Sequence, residues 1–245
     1  MVGGAAMEKV TNKIPEPLCD RVFNVVIFIL LILILVIVVY PLYFVILASV
    51  SDPAIVNAGG FLWYPKGFQL DGLKLVLQDD RIWNGYLNTI MYTLASTVLG
   101  TTMIIMSGYA LSRKDLPGRN ILMGYFVFTM YFGGGLIPTF MVVKQLNLVD
   151  TRAIIILFGS FSVYNMIVAR SYFVHSLPIE LQEAAFIDGC SNQRFFFSIV
   201  IPLSKPIIAV IALYCAVGQW NSFFNAMVYL NTASKYPLQL VLREI

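Results

Sequence analysis

This sequence is short of charge. Lysine, arginine, aspartate and glutamate together supply 12% of its 245 residues, against roughly 25% in an ordinary soluble domain. A solvated shell of charges around one core is therefore excluded. Cysteine is scarce as well: Cys19, Cys190 and Cys215 stand far apart, which leaves neither a disulfide framework nor metal-ligand spacing. The one histidine is His175, at the end of an apolar run, where it reads as a boundary residue facing headgroups. No His-Glu-x-x-His, Gly-x-Ser-x-Gly or Gly-x-x-x-x-Gly-Lys-Ser/Thr occurs, so neither a catalytic constellation nor the usual phosphate loop is present. No basic stretch interleaved with aromatics points to nucleic acid, and a net charge of +3 needs nothing beyond membrane flanks. The first apolar run is far longer than the ~7–15 residues of a signal-peptide core, and no small-residue cleavage site follows it.

What the sequence has in abundance is long apolar blocks. "VFNVVIFILLILILVIVVYPLYFVIL" carries no charge from Val22 to Leu47, longer than the ~20 residues that cross a ~30 Å hydrocarbon core. Four more spans follow, from about Tyr86 to Leu111, Ile121 to Val143, Ala153 to Phe173 and Phe197 to Gln219. Backbone groups in lipid must be satisfied within their own segment, so all five are expected to be helices. The reading is an all-α integral membrane protein, a polytopic helical bundle. Lys9, Lys13 and Arg21 precede the first span, Arg113, Lys114 and Arg119 crowd "SRKDLPGRN", and Arg170, Arg194 and Lys205 flank the fourth connection. By the positive-inside rule residues 1–21 form a cytoplasmic N-terminal segment, residues 22–245 the transmembrane domain, and Ser49–Gly85 lies outside. In "YFGGGLIP" (131–138), three glycines and a proline interrupt the third span. They permit either tight helix packing or a bend lining a pathway.

One stretch breaks the apolar monotony: "ELQEAAFIDGCSNQRFFFSIVIP", residues 180–202. Pro178 suits the first turn of a helix, with Ser176 or Leu177 as cap, and Gly189 is its natural stop. The spacing places Leu181, Ala184 and Ala185 on one face, and Ile179, Glu183 and Phe186 on another. A connector surrounded by water needs one apolar face at most, so this helix reads as one built to be gripped. Ser191 can cap a second helix that turns into the membrane at Pro202, giving a rigid elbow continuous with the fifth span. An elbow packed only on its own bundle is the plainer alternative.

The pattern Glu-Ala-Ala, three residues, Gly, nine residues, Ile, one residue, Leu, Pro marks the permease subunits of binding-protein-dependent ABC importers. Here it stands as Glu183, Ala184, Ala185, Gly189, Ile199 and Pro202, with Ile201 where leucine is usual and Asp188 completing the common Asp-Gly form. With "GGGLIPTF", "LNLVDT" and "WNSFFNAMVYLNTASKYPLQLVLREI", the chain resembles the maltose-like carbohydrate class of these permeases, of the lipoprotein-permease subgroup. The resemblance implies the type I importer permease fold with residues 175–202 as its cytoplasmic coupling loop. It implies Glu183 as the acid that pairs with a basic residue of an ATPase groove, Ala184 and Ala185 as close-contact residues, Asp188 beside them and Gly189 as hinge. Implied partners are a second permease, two ATP-binding subunits that hold ATP and magnesium, an extracytoplasmic solute-binding protein, a sugar cargo and membrane lipid. This chain itself is expected to bind no cofactor or metal and to hydrolyse nothing. The implied location is the bacterial cytoplasmic membrane. Five spans are visible, and the sixth that the family carries is expected beyond Ile245.

Polar residues at membrane depth are candidates for a translocation path. Tyr164, Asn165, Tyr214, Gln219, Trp220 and Asn221 combine flat apolar faces with hydrogen-bonding ends, which suits sugars; each could instead tie neighbouring helices together. Trp220 also fits the interfacial aromatic belt, and Arg170 reads as a snorkelling flank. Two other readings remain: an ion-gradient-driven transporter, which should carry carboxylates inside its spans where this sequence has none, and a non-transporting scaffold that recruits a soluble partner.

Overall fold

The structure, a computed structural model, describes residues 17–59 and 62–244. Lys9 and Lys13, with most of the expected cytoplasmic segment, lie outside the described residues. The chain divides into two compact units, Met1–Gln78 and Asp79–Ile245.

In the first unit α1 (Leu18–Ser49) runs unbroken for 32 residues through Pro41, about 48 Å at 1.5 Å per residue. Leu47 is its only buried residue. A helix apolar on every side and exposed over most of its length has lipid as its natural solvent. Its end is tied down locally. Ser51 Oγ donates to Leu47 O and accepts from the Lys66 amide, while Asp52 caps α2 (Pro53–Asn57) by accepting from the Ala54 amide at 2.9 Å. The short α3 (Asp71–Gln78) closes the unit.

The second unit is organised around α4 (Asp80–Ser112), 33 residues capped by Asp79. Its buried positions include Gly85, Thr89, Tyr92, Ser96, Gly100, Ile104 and Gly108, a ridge of largely small side chains at about four-residue spacing. Small residues on such a ridge let helices approach to backbone contact, the main source of association where lipid tails are as apolar as leucine. At Gly108 a Cβ would come within 3.0 Å of the Ala169 side chain and 3.1 Å of the Arg170 amide. At Gly100 it would run into the Ser160 carbonyl.

Around α4 stand three bent pairs. α5 (Arg119–Tyr131) and α6 (Leu136–Gln145) meet at 112°, α7 (Arg152–Ser160) and α8 (Val163–Ser176) at 41°, and the segment Asn192–Leu203 meets Lys205–Trp220 at 79°. We number these last two α10 and α11, with α9 (Ile179–Ile187) before them. Among the described residues α1 and α4 are long and apolar enough to cross a membrane, and the bent pairs bring the number to five if each is one span. α12 (Phe224–Tyr229) and α13 (Leu238–Glu244) complete the unit, with α13 against α4 at Gly85.

Each bend has a local cause. Between α5 and α6, Gly135 takes φ 83° and ψ 174°, a region that is essentially glycine's alone. A Cβ on Gly133 or Gly135 would meet nothing within 4 Å. Gly135 therefore serves the bend, and within the chain neither Gly133 nor Gly135 is a close-approach position. Between α7 and α8 the backbone opens at Phe161 and Ser162, and Ser162 Oγ caps the new helix by accepting from the Asn165 amide at 3.3 Å. The third bend corrects the expectation of a rod running unbroken from the elbow into the fifth span. A π turn at Phe196–Val200 leads into Pro202, and the chain breaks again at Ser204. Pro202 and Pro206 lack the amides that would continue the ladder.

Opposite ends of α4 are secured differently. Asn147 and Asp150 adopt left-handed φ of 55° and 56° in the turn after α6, a conformation that Asn and Asp tolerate better than other side chains. The Asp150 carboxylate accepts from the Asn231 and Thr232 amides at 3.0 and 3.1 Å, from Thr232 Oγ1 at 2.6 Å and from Lys235 Nζ at 2.9 Å. Asn88, Thr89 and Tyr92 of α4 bond the same 234–238 strip. These bonds, the Thr232 hydroxyl first and Lys235 next, hold Asp150 well below the usual carboxylate range. A depressed carboxyl stabilises above its unfolded value of ~3.9 and loses that contribution as pH falls through its folded value. Asp150→Ala is expected to speed amide exchange at residues 231–232 several-fold at pH 7, and the protection difference from wild type should close as pH drops below ~4. A pH-independent difference would contradict the ionic role.

Candidate functional site

The charged island folds as a short helix between two breaks in the chain. Pro178 is the residue that flanks α9, one position earlier than the sequence suggests, and supplies no side-chain cap. At the other end Gly189, at φ 76°, and Cys190 donate to Phe186 O at 3.0 Å and Ala185 O at 2.9 Å. That pair of bonds is a Schellman termination, available because glycine accepts the left-handed conformation.

The faces of α9 differ from the expected division. Ala185 is buried in the chain's own core, Leu181, Gln182 and Phe186 are half-buried, and Ile179, Glu180, Glu183, Ala184 and Ile187 are exposed. The outward arc is thus Glu180, Glu183, Ala184 and Ile187, at the i, i+3, i+4, i+7 spacing of one helix face. Ala185, expected beside Ala184 as a contact residue, faces the bundle: one helical step turns it by ~100° onto the arc that Leu181 and Phe186 occupy. Asp188 is exposed at the C-cap. Ile187 is 86% exposed next to the acids, an apolar residue left open on a surface otherwise suited to water.

Beneath α9 lies an aromatic floor. Phe186 meets Phe195 edge-on at 5.9 Å, and Tyr109 packs on Phe173 at 5.6 Å and on Phe196 at 4.9 Å. Arg113, just past the end of α4, bonds Asp115 through Nε and Nη2 at 2.8 and 2.6 Å and Tyr109 through Nη1 at 3.0 Å. The pairing raises the guanidinium's pKa and lowers that of Asp115. Arg170 is not a free flank: its Nε donates to Leu111 O at 3.0 Å, satisfying a carbonyl in the last turn of α4. His175 Nδ1 lies 2.7 Å from Ser171 O of its own helix. A cavity of about 450 Å³ opens between these elements and the start of α9.

A second cavity, about 320 Å³, sits at the α7–α8 break. Its walls include Ser160, Ser162 and Asn165 from the break, Tyr214 and Gln219 from α11, and Ser222 and Asn225 after it; none of its lining residues is charged. Irregular backbone at membrane depth is tolerated where it lines a cavity, and this break does so. Gln219 is 7% exposed and fills the space that a Cβ on Gly159 would need. Of the six candidates, Asn165, Tyr214 and Gln219 come together here. Tyr164 points outward at 63% exposure, Trp220 is half-buried outside the lining, and Asn221 spends its side-chain amide on Val217 O at 2.8 Å. Ser160, Ser162, Ser222 and Asn225 went unnoticed in the sequence; the one signal was polar residues clustered around "GSFS".

Both features lie within residues 100–234, which match the family described as "Binding-protein-dependent transport system inner membrane component". The chain belongs to this family. It is 39% identical over 226 residues to the polygalacturonan/rhamnogalacturonan transport system permease protein YtcP of Bacillus subtilis, spanning 92% of this chain and 79% of that one. It is 38% identical to protein LplC of the same organism, over 92% and 76% of the two chains. Among solved structures it superposes with TM-score 0.87 and 34% identity on a chain of a bacterial ABC transporter involved in the import of the acidic polysaccharide alginate, covering 94% of this chain and 82% of that one. The permease is therefore an all-α integral inner-membrane protein with the ABC-importer permease fold. The signature that spans Glu183 to Pro202 corresponds in it to α9, its Schellman stop and the π-turn segment.

Proposed function

We propose that this permease forms part of an ATP-driven importer of oligosaccharides, moving cargo that an extracytoplasmic binding protein delivers. A second permease completes the pathway, two ATPase subunits hold ATP and magnesium, and one of them grips α9 from the cytoplasm. The N-terminus of the permease is cytoplasmic in this reading. The observation that carries it is the outward arc of α9: an exposed acid, Glu183, next to an alanine that permits close approach and flanked by exposed isoleucines. Such a face suits helix-in-groove recognition. The cargo class is supported by the uncharged cavity, whose amides and hydroxyls match hydroxyl rims while Phe158 and Phe161 offer flat faces to C–H surfaces. Its volume sits at the low end of the ~300–1,000 Å³ typical of small-molecule sites, enough for part of a chain rather than all of it. The relative named for polygalacturonan/rhamnogalacturonan transport and the importer of the acidic polysaccharide alginate make acidic sugars the first cargo to test.

The test is uptake of labelled galacturonate oligosaccharides by vesicles carrying the purified complex. Uptake is expected to need both ATP and the binding protein. Uptake that survives ATP depletion but collapses with a proton or sodium gradient would replace this reading with a secondary transporter.

A further inference from the structure

If α9 is gripped by a motor subunit, its displacement must reach the membrane, and the backbone offers no stiff route. On one side α9 joins α8 through Leu177 and Pro178, both extended. On the other it stops at left-handed Gly189, and α10 beyond it breaks by 79° before α11. Side chains supply the missing link. The Arg113 guanidinium stands 5.4 Å from the centroid of the Phe186 ring. It is held there by the paired bonds to Asp115 and the bond to the Tyr109 hydroxyl, and its side chain is 10% exposed. A planar cation fixed by three of its nitrogens cannot slide the way a lysine would. Tyr109 belongs to α4, the helix on which α7, α8 and α11 pack.

We propose that Arg113 is a positioning residue of the coupling machinery, carrying displacement of α9 through Phe186 into α4. This rests on the reading of α9 as the element held by an ATPase. Cys215, in the wall of the polar cavity, provides a native reporter once Cys19 and Cys190 are changed to serine. In the complex with its partner subunits, the rate at which a small maleimide modifies Cys215 is compared with and without ATP and vanadate. Phe186→Leu keeps an apolar side chain but removes the ring, and Arg113→Lys keeps the charge but not the plane. Both are expected to cut the nucleotide-dependent rate change about 2- to 30-fold, the range a cation–π contact supplies, with complex recovered at wild-type yield. Phe186→Tyr should restore the response. The double variant should be no worse than either single one, because both remove the same contact.

A wild-type response in Phe186→Leu overturns the inference. So does a parallel loss of yield and response in all variants, Phe186→Tyr included, which marks packing alone. Glu183→Lys separates the layers: response lost there but kept in Phe186→Leu removes only the Arg113 route, and response kept in both removes the gripped-helix reading as well.

Discussion

Glu183→Lys is expected to leave the permease inserted and folded while it loses its ATPase partner. Glu183 is exposed, contributes nothing to the core, and sits mid-way along the outward arc of α9. Its cost must therefore fall on whatever covers that arc. Removing one partner of a charge pair buried at an interface costs ~2–5 kcal/mol, or about 30-fold to several thousand-fold in affinity. Reversing the sign adds repulsion to the loss. Copurification of the complex should fall by at least the lower figure, and ATP-dependent uptake with it. Glu180→Lys, one turn nearer the start of α9 and bordering the 450 Å³ cavity, should cost less because it lies toward the edge of the same face.

Gly100→Leu carries the second large effect, and it acts on folding. A Cβ at this position would meet the Ser160 carbonyl carbon at 2.9 Å and its Cα at 3.1 Å. Those atoms are backbone, so no rotamer change relieves the clash. Ser96 Oγ of α4 donates to Ile156 O of α7 in the same crossing, and Ser160 Oγ bonds that carbonyl from within α7, so one hydrogen bond also joins the two helices there. Overpacking in a close-packed interior costs ~1–3 kcal/mol and more where backbone must shift, against a total stability of ~5–15 kcal/mol. Gly100→Leu should lower the yield of monodisperse protein in detergent several-fold and abolish a cooperative melt. Gly124→Leu is the control: a Cβ there meets nothing within 4 Å, so yield and melting temperature should stay near wild type.

These two positions also show how much the sequence made legible. The spans announced themselves, because Val22–Leu47 and its successors are too long and apolar for any other solvent. The end of α9 was readable from Gly189, since a left-handed stop is chemically particular. Glycines whose duty is close approach were not: Gly100 and Gly124 look alike in a string, and only the neighbour across the gap distinguishes them. The break at Ser160–Ser162 was hidden for a similar reason. Its outer flanks, 153–158 and 166–169, are apolar, and the polar cavity that stabilises the open backbone is completed by Ser222 and Asn225 from far along the chain. Spacing alone puts Leu181, Ala184 and Ala185 on one broad face, and it does not say where that face divides. The burial of Leu181 and Phe186 set the rotation of the helix and sent the second alanine inward.

Whether the outward face of α9 is held from the cytoplasm is decided most directly by a cysteine at Ile187, which is 86% exposed on that arc. Ile187→Cys, in a chain with Cys19, Cys190 and Cys215 replaced by serine, is treated in intact cells with a short bifunctional maleimide. The account predicts one cross-linked product, joining the permease to a soluble ATP-hydrolysing subunit, and no labelling by membrane-impermeant reagents added outside. Labelling from outside, or a product linking Ile187→Cys only to its own polypeptide, would contradict it.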